Sequence, residues 1–247
     1  MSMIISEGLY KIHNYEADRD GKVFVATLMN FLQDMACEQA EDLGIGIKYL
    51  IENNLAWVIY KWDVKINSYP SIGDEIKVRT WPFSYKKFYA YRQFDVINSE
   101  GDVIATANSL WFLINLEKRR PTKISDEMIS KFDLKDSEGK ELVFEKLYKP
   151  EKDEIVKNFH VRYGDIDTNR HVNNVIYISW SLESIPFDIL SNCSLKELKV
   201  NYEKETNYGD EVKVKTQIIN NGNEYVVISS VLNEKDEKLT LVKSIWK

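Results

Sequence analysis

Gly73-Asp-Glu-Ile-Lys-Val-Arg-Thr80 recurs later in the same chain as Gly209-Asp-Glu-Val-Lys-Val-Lys-Thr216. Both copies open on a Gly-Asp turn and continue with alternating side chains, Ile76/Val78 and Val212/Val214 on one face, Lys77/Arg79 and Lys213/Lys215 on the other. A period of two with one apolar face is the pattern of a half-buried antiparallel strand. The same rhythm precedes each copy, in Trp62/Val64/Ile66 before the first turn and in Leu198/Val200/Tyr202 before the second. A segment that returns with its neighbours in the same order marks an internal duplication. The two halves are therefore read as duplicated domains.

Each half also carries one helical segment upstream of these strands. Leu28, Phe31, Leu32, Met35 and Ala36 recur at helical spacing, a stripe that packs one face on a core, and that helix should end near Gly44 and Gly46. From Asn173 to Glu183 the apolar residues Val175, Ile176, Ile178, Trp180 and Leu182 circle most of the helix, which must be buried on several sides before it stops at Pro186. Strand-like runs follow at 88–97, 103–116, 225–232 and 239–246. The expected class is α+β, with one long helix and an antiparallel meander per half. A helix wrapped by a curved antiparallel sheet is the hotdog arrangement, although helix-then-strands fits other α+β folds as well. The expected division is a first domain over 1–125, a linker over 126–157, where charges alternate with little periodicity, and a second domain over 158–247.

The chain has 247 residues with 44% hydrophobic and 12% aromatic content, enough for a substantial core. Against 33 basic residues stand 39 acidic ones, a net charge of −6 that argues against nucleic-acid binding. Lys86, Lys87 and Arg92, and separately Lys118, Arg119, Arg120 and Lys123, form local basic groups that could receive an acidic partner or be ordinary solvated turns. No run approaches the ~18 apolar residues of a membrane helix, so no membrane insertion is expected. The opening MSMIISEGLYKIHNYEADRDG lacks the basic patch and long apolar run of an export signal. Cys37 and Cys193 lie far apart and in no metal-ligand spacing, so neither a disulfide nor a metal site is expected and a reducing cytoplasm fits.

Catalytically capable side chains concentrate in Tyr163-Gly-Asp165-Ile-Asp167-Thr-Asn169-Arg-His171-Val-Asn173-Asn174. Asp167, Asn169 and His171 stand at steps of two, so an extended approach to the helix would point all three one way and line one pocket. Aligning Tyr15 on Tyr163 puts Asp18, Gly21 and Val23 near these positions, with no histidine among them, and only the second domain then looks catalytic. Helix capping accounts for one or two of these residues and leaves the histidine unexplained. Glu205, in Tyr202-Glu-Lys-Glu205-Thr206, is the other candidate; it either faces away from Tyr202 along the strand or follows a bulge, and a solvated surface role stays open.

With these residues in place the chain resembles the acyl-acyl-carrier-protein thioesterases of plants and bacteria, nearly end to end. The likeness runs through Thr27-Leu-Met-Asn-Phe-Leu-Gln-Asp, Leu55-Ala-Trp-Val, Tyr69-Pro-Ser-Ile-Gly-Asp and Ser109-Leu-Trp-Phe with Lys118-Arg-Arg, then through Asp165-Ile-Asp-Thr-Asn-Arg-His-Val-Asn-Asn-Val-Ile-Tyr and Leu182-Glu-Ser-Ile-Pro. The resemblance implies tandem hotdog domains and a catalytic set of Asp167, Asn169, His171 and Glu205 in the second. Where many plant relatives have a cysteine after that glutamate, this chain has Thr206, so a thiolate mechanism is not on offer. A thioester needs an activated water and a stabilised oxyanion, with no metal and no cofactor. Glu205 is assigned as general base, Asn169 as holder of water or substrate, His171 as the group that polarises the carbonyl or protonates the leaving thiol, and Asp167 as orienting partner, with the positive end of the helix beside the oxyanion. The first domain, with Met29, Trp57, Ile59 and Trp111, is expected by resemblance to enclose the acyl chain, although apolar residues there are equally readable as core.

The implied partner is acyl carrier protein bearing a fatty acyl chain. A coenzyme A thioesterase and a noncatalytic acyl-carrier-protein binding module are the competing readings. A hotdog dehydratase is set aside because neither His160 nor His171 is followed by Phe-Pro. Duplication can supply the pairing that single-hotdog proteins reach by dimerising, so a monomer and a homodimer both stay open.

Overall fold

A computed structural model describes residues 4–247; Met1, Ser2 and Met3, which open the stretch read for an export signal, lie outside them. The chain divides into two compact units, Met1–Tyr60 with Ile66–Val143 and Lys61–Lys65 with Phe144–Lys247. The first holds β1 (Ser6–Lys11), α1 (Val25–Asp42), α2 (Ile47–Glu52), most of β2 (Leu55–Ile66), β3 (Glu75–Lys86), β4 (Tyr89–Ile97), β5 (Val103–Asn115), β6 (Arg120–Pro121) and α3 (Asp126–Lys131). The second holds β7 (Ile155–His160), α4 (Asn174–Glu183), α5 (Phe187–Asn192), β8 (Leu195–Tyr202), β9 (Glu211–Asn220), β10 (Tyr225–Asn233) and β11 (Lys238–Trp246).

Strand order gives the duplication its topological form. The first unit runs β1-β3-β4-β5-β2, with the short β6 beside β5, and the second runs β7-β9-β10-β11-β8. In both, the order is first, third, fourth, fifth, second, and pairing is antiparallel. The repeated Gly-Asp motif leads into β3 and β9, whose buried residues alternate as read, Ile76 and Val78 in one and Val212 and Val214 in the other. Its terminal Thr80 and Thr216 are both fully buried.

Each long helix packs on strands of its own unit, α1 on β1 and β3, α4 on β9, β10 and β11. On α1 the buried side chains are Val25, Leu28, Met29, Leu32, Met35, Ala36, Gln39 and Ala40. Burying each large aliphatic one stabilises the fold by ~1.5–3 kcal/mol relative to exposure. The helix stops where Gly44 takes a positive φ of 70° and donates its N–H to Glu41 O at 2.9 Å, a backbone conformation that glycine adopts without strain. No residue from Asn174 to Leu182 is exposed, which bears out the reading of a helix buried on several sides. The hydroxyls of Ser179 and Ser181 return to the carbonyls of Val175 and Tyr177, so no polar group is stranded by that burial. One long helix packed on antiparallel strands is thus present twice.

The expected linker over 126–157 is corrected by the structure. Ser125 caps α3, accepting from Met128 N–H at 3.2 Å, and Met128, Ile129, Phe132 and Leu134 are buried with Tyr85, Leu113 and Ile124 in a cluster of the first unit. Apolar side chains at 128, 129, 132 and 134 span too few turns to stand out as a periodic stripe, yet they suffice to tie the segment down. At the far end β7 already occupies Ile155–His160, and Glu145 joins Lys199 and Lys243 of the second unit. The basic group proposed at Lys86, Lys87 and Arg92 also dissolves. Lys86 pairs with Glu141, and Arg92 is buried, donating to Gln39 Oε1 at 2.6 Å and Thr80 Oγ1 at 3.0 Å and lying 5.6 Å from the Phe132 ring centre. Loss of water lowers the Arg92 guanidinium to about 10.

Candidate active site

Residues 166–172 form a closed hairpin turn that delivers His171 to the foot of α4. Ile166 and Val172 bridge its ends, Asp167 N–H donates to His171 O at 2.9 Å, and Arg170 N–H donates to Asp167 O at 3.0 Å. The extended approach expected for Asp167, Asn169 and His171 is therefore replaced by a turn. Its physical reason is visible at Arg170, whose φ of 67° reverses the chain in a conformation that costs a residue with a side chain about 1–2 kcal/mol. Asp167 secures the turn from within, its Oδ1 accepting from Asn169 N–H at 2.8 Å and its Oδ2 from Asn169 Nδ2 at 3.3 Å. Asp165 secures it from below. That carboxylate is 1% exposed, held by Arg162 through Nη2 at 2.8 Å and backbone N–H at 2.8 Å, while its own carbonyl accepts from Asn173 N–H at 2.8 Å. Asn173 then caps α4, its Oδ1 accepting from Val175 N–H at 2.9 Å.

Glu205 comes from the loop between β8 and β9, past the end of the strand, which settles the orientation that alternation left open. Its Oε1 lies 3.4 Å from His171 Nε2, with side chains 52% and 38% exposed, so the pair is open to water. The loop is anchored one residue later. Thr206 is 2% exposed; its carbonyl accepts from Val172 N–H at 3.1 Å, its N–H donates to Tyr177 Oη at 3.0 Å, and its hydroxyl donates to Asp210 Oδ2 at 2.7 Å. Burial raises the Tyr177 phenol above its ordinary pKa; the Thr206 N–H works against that, and the carboxylates of Glu205, Asp167 and Asp210 add to it. Tyr177 is thus a protonated hydroxyl at neutral pH with three carboxylates around it. Sequence reading missed Tyr177 and Asp210, because an aromatic on an apolar helix reads as core and the aspartate as a turn residue.

Hydrogen bonds also fix the register between the halves. Asp18 N–H donates to Lys22 O, Gly21 N–H to Asp18 O and Val23 N–H to Pro70 O, the same three bonds that Asp167, Arg170 and Val172 make in the second unit. The counterpart of His171 is therefore Lys22, and those of Asp167, Asn169 and Arg170 are Asp18, Asp20 and Gly21. This corrects by one residue the alignment of Tyr15 on Tyr163. The first unit still offers no histidine at the site.

In the first unit, Met29 is 0% and Ile59 1% exposed, fully buried, while Trp57 is half-buried against the α3 cluster and half-buried Trp111 donates Nε1–H to Ser109 Oγ at 2.7 Å. A surface hollow of ≈ 310 Å³ in that unit is lined by Glu41, Gly44, Gly46, Lys48, Tyr49 and Glu52 and shares no residue with these four. Cys37 lies on α1 in the first unit, its thiol raised by burial, and Cys193 follows α5 in the second. Among the described residues, no group of three His, Cys, Asp or Glu side chains is arranged to hold a metal ion, and no helix is long and apolar enough to cross a membrane.

Comparison with known proteins agrees with this fold. Residues 6–132 match the model of the acyl-ACP thioesterase N-terminal domain, and residues 148–247 that of the C-terminal domain. A chloroplastic palmitoyl-acyl carrier protein thioesterase of Gossypium hirsutum is 34% identical over 222 residues, which cover 82% of this chain and 53% of that protein. The chain spans about half the length of the curated relatives it matches first. A solved structure described as an oleoyl thioesterase of Lactobacillus plantarum superposes with a TM-score of 0.91 at 26% identity, covering 99% of this chain and 96% of that one. An acyl-ACP thioesterase from Bacteroides thetaiotaomicron VPI-5482 gives 0.86 at 26% identity, covering 98% of both chains. With both domain models matched in order, and the tandem hotdog fold shared with these structures, the chain belongs to the acyl-ACP thioesterase family.

Proposed function

We propose that this protein hydrolyses the thioester joining a fatty acyl chain to acyl carrier protein, releasing free fatty acid and the carrier thiol and so ending chain elongation in fatty acid biosynthesis. The observation that carries the reading is the His171–Glu205 pair, 3.4 Å apart and open to solvent, in a chain of this family. Glu205 takes a proton from water as the water oxygen attacks the thioester carbonyl. Collapse of the tetrahedral intermediate breaks the C–S bond, and the departing sulfur leaves as the thiol with a proton supplied through His171. Asn169 holds the water or the substrate, and Asp167 fixes Asn169 through the two bonds described above. The positive end of α4 faces developing negative charge. Thr206 takes no nucleophilic part: its hydroxyl is buried and engaged by Asp210.

The first unit is proposed to take up the acyl chain, with Met29, Trp57, Ile59 and Trp111 as its lining. Its support is chemical: the turn that carries His171 in the second unit carries Lys22 here, so the first unit has the fold without the reactive set. The cytoplasm is the proposed location, and the duplicated chain the proposed working unit, alone or as a homodimer. Thiol release from a panel of acyl-acyl-carrier-proteins and the matching acyl-coenzyme A esters, with wild type beside His171→Ala, tests the reading. Carrier-selective release lost in the variant is the expected result. Preference for coenzyme A esters would overturn the carrier assignment, and no release from any ester would leave a binding module in its place.

A further inference from the structure

The internal duplication provides a control for which residues serve the site and which serve the fold. In most of its backbone bonds the loop at Asn67–Asp74 repeats the loop at Glu203–Asp210. Asn67 and Ser68 N–H donate to Ile104 O as Glu203 and Lys204 donate to Leu239 O, and Asp74 N–H donates to Ser71 O as Asp210 N–H donates to Asn207 O. The carbonyl of Pro70 accepts from Val23 N–H at 3.0 Å where that of Thr206 accepts from Val172 N–H at 3.1 Å. In this register Tyr69 stands for Glu205 and Pro70 for Thr206. The helix bonds place Leu28 where the second unit has Tyr177, since Phe24 N–H donates to Glu16 O as Asn173 N–H donates to Asp165 O at the two helix starts.

Four positions therefore change together. The unit with Lys22 and Tyr69 has Leu28 and Pro70; the unit with His171 and Glu205 has Tyr177 and Thr206. Proline has neither an N–H for a phenol nor a hydroxyl for an aspartate, and leucine offers no acceptor. The first unit closes its loop through the shared carbonyl bond and through Ile72 N–H, which donates to Gly21 O at 2.9 Å. The same loop is thus closed by backbone bonds in one unit, and the Tyr177–Thr206 and Thr206–Asp210 bonds, 3.0 and 2.7 Å, are added only beside the reactive pair.

Resting on the hydrolase reading above, we infer that Tyr177 and Thr206 are positioning residues of the site, a two-bond latch that holds the Glu205 backbone within reach of His171. Thr206 adjoins Glu205, and its carbonyl is bound to Val172, which adjoins His171. Fixing Thr206 by its N–H and hydroxyl therefore fixes both members of the pair at once. Each bond is shielded, Thr206 being 2% and Tyr177 2% exposed, so water does not compete for it.

Steady-state thiol release and thermal melting of wild type, Thr206→Val, Thr206→Ser and Tyr177→Phe test the latch. In Thr206→Val and Tyr177→Phe, kcat is expected to fall on the order of tenfold with KM nearly unchanged, and Thr206→Ser to stay within about threefold of wild type. Normal kcat in both Thr206→Val and Tyr177→Phe would overturn the inference, as would a serine variant as slow as valine, which would make shape and not the hydroxyl responsible. Should Thr206→Val fail to fold, Tyr177→Phe decides. An inactive wild type would sink the hydrolase reading alone. The latch is then judged from the imidazole NMR resonances, with those of His171 expected to move in both latch variants while those of His13 and His160 stay; an unmoved His171 overturns it.

Discussion

His171 Nε2 and Glu205 Oε1 stand 3.4 Å apart, the imidazole delivered by a hairpin turn and the carboxylate by the loop that follows β8. Both side chains are partly open to water, so their pairing adds little to folding. Glu205→Gln should lower kcat by roughly 10²–10⁴, the range of a positioned general base, while moving the thermal midpoint by no more than about 2–4 °C. Thiol-release kinetics beside calorimetry check this, and near-normal turnover in a well-folded variant would remove Glu205 from its role.

Asn173 couples the site turn to α4 by capping the helix at Val175 N–H. Asn173→Ala should cost about 1 kcal/mol of stability. Urea denaturation measures it, and Asn173→Ser or Asn173→Asp should recover most of the loss because either side chain can accept the same bond.

Arg92 is the buried cation of the first unit, answered by Gln39 and Thr80. Arg92→Ala would leave the Gln39 and Thr80 acceptors without that donor and open a void, at a combined cost of about 2–4 kcal/mol. A wild-type denaturation midpoint for this variant would show that the guanidinium is replaceable there.

Alkaline pH should unfold the protein through its tyrosines. Burial raises Tyr69, Tyr177 and Tyr202 above the ordinary value of 10.0. A raised folded pKa means that stability is fully present below the unfolded value and is lost as pH climbs past 10.0, because the unfolded chain releases protons the folded one retains. Arg92, lowered to about 10, acts in the opposite sense above that pH and is outnumbered, since Tyr10, Tyr49, Tyr85 and Tyr91 are raised too. The urea midpoint should therefore begin to fall near pH 10, in step with tyrosinate absorbance appearing on unfolding; a midpoint that rises there would contradict the assignment.

The duplication, the two long helices and the strands β2 to β5 and β8 to β11 could be read from the sequence because each repeats a physical period over enough residues to stand clear. Short elements could not. β1 buries only alternate residues and only in part, β7 partly buries Ile155 and Phe159 alone, and α3 makes barely two turns. Arg92 read as surface because charge alone says nothing of the Gln39 and Thr80 waiting for it. At the candidate site the local geometry was not legible: the turn depends on the left-handed Arg170, and steps of two suggested a strand instead. The one-residue error between halves arose from matching Tyr15 to Tyr163, two exposed side chains that fix nothing, whereas the Asp18 and Asp167 hydrogen bonds carry the true register.

Lys61–Lys65 group with the second unit, pairing with β8 from Lys61↔Asn201 to Lys65↔Glu197, with Asp63 gripping Lys199 at 3.0 Å, although the rest of β2 groups with the first. A fragment starting at Phe144 would expose that flank of β8 as bare N–H and C=O groups, an invitation to promiscuous strand pairing. The second half is therefore no transferable cassette: shuffling it onto another protein would require carrying along five residues encoded on the far side of the border.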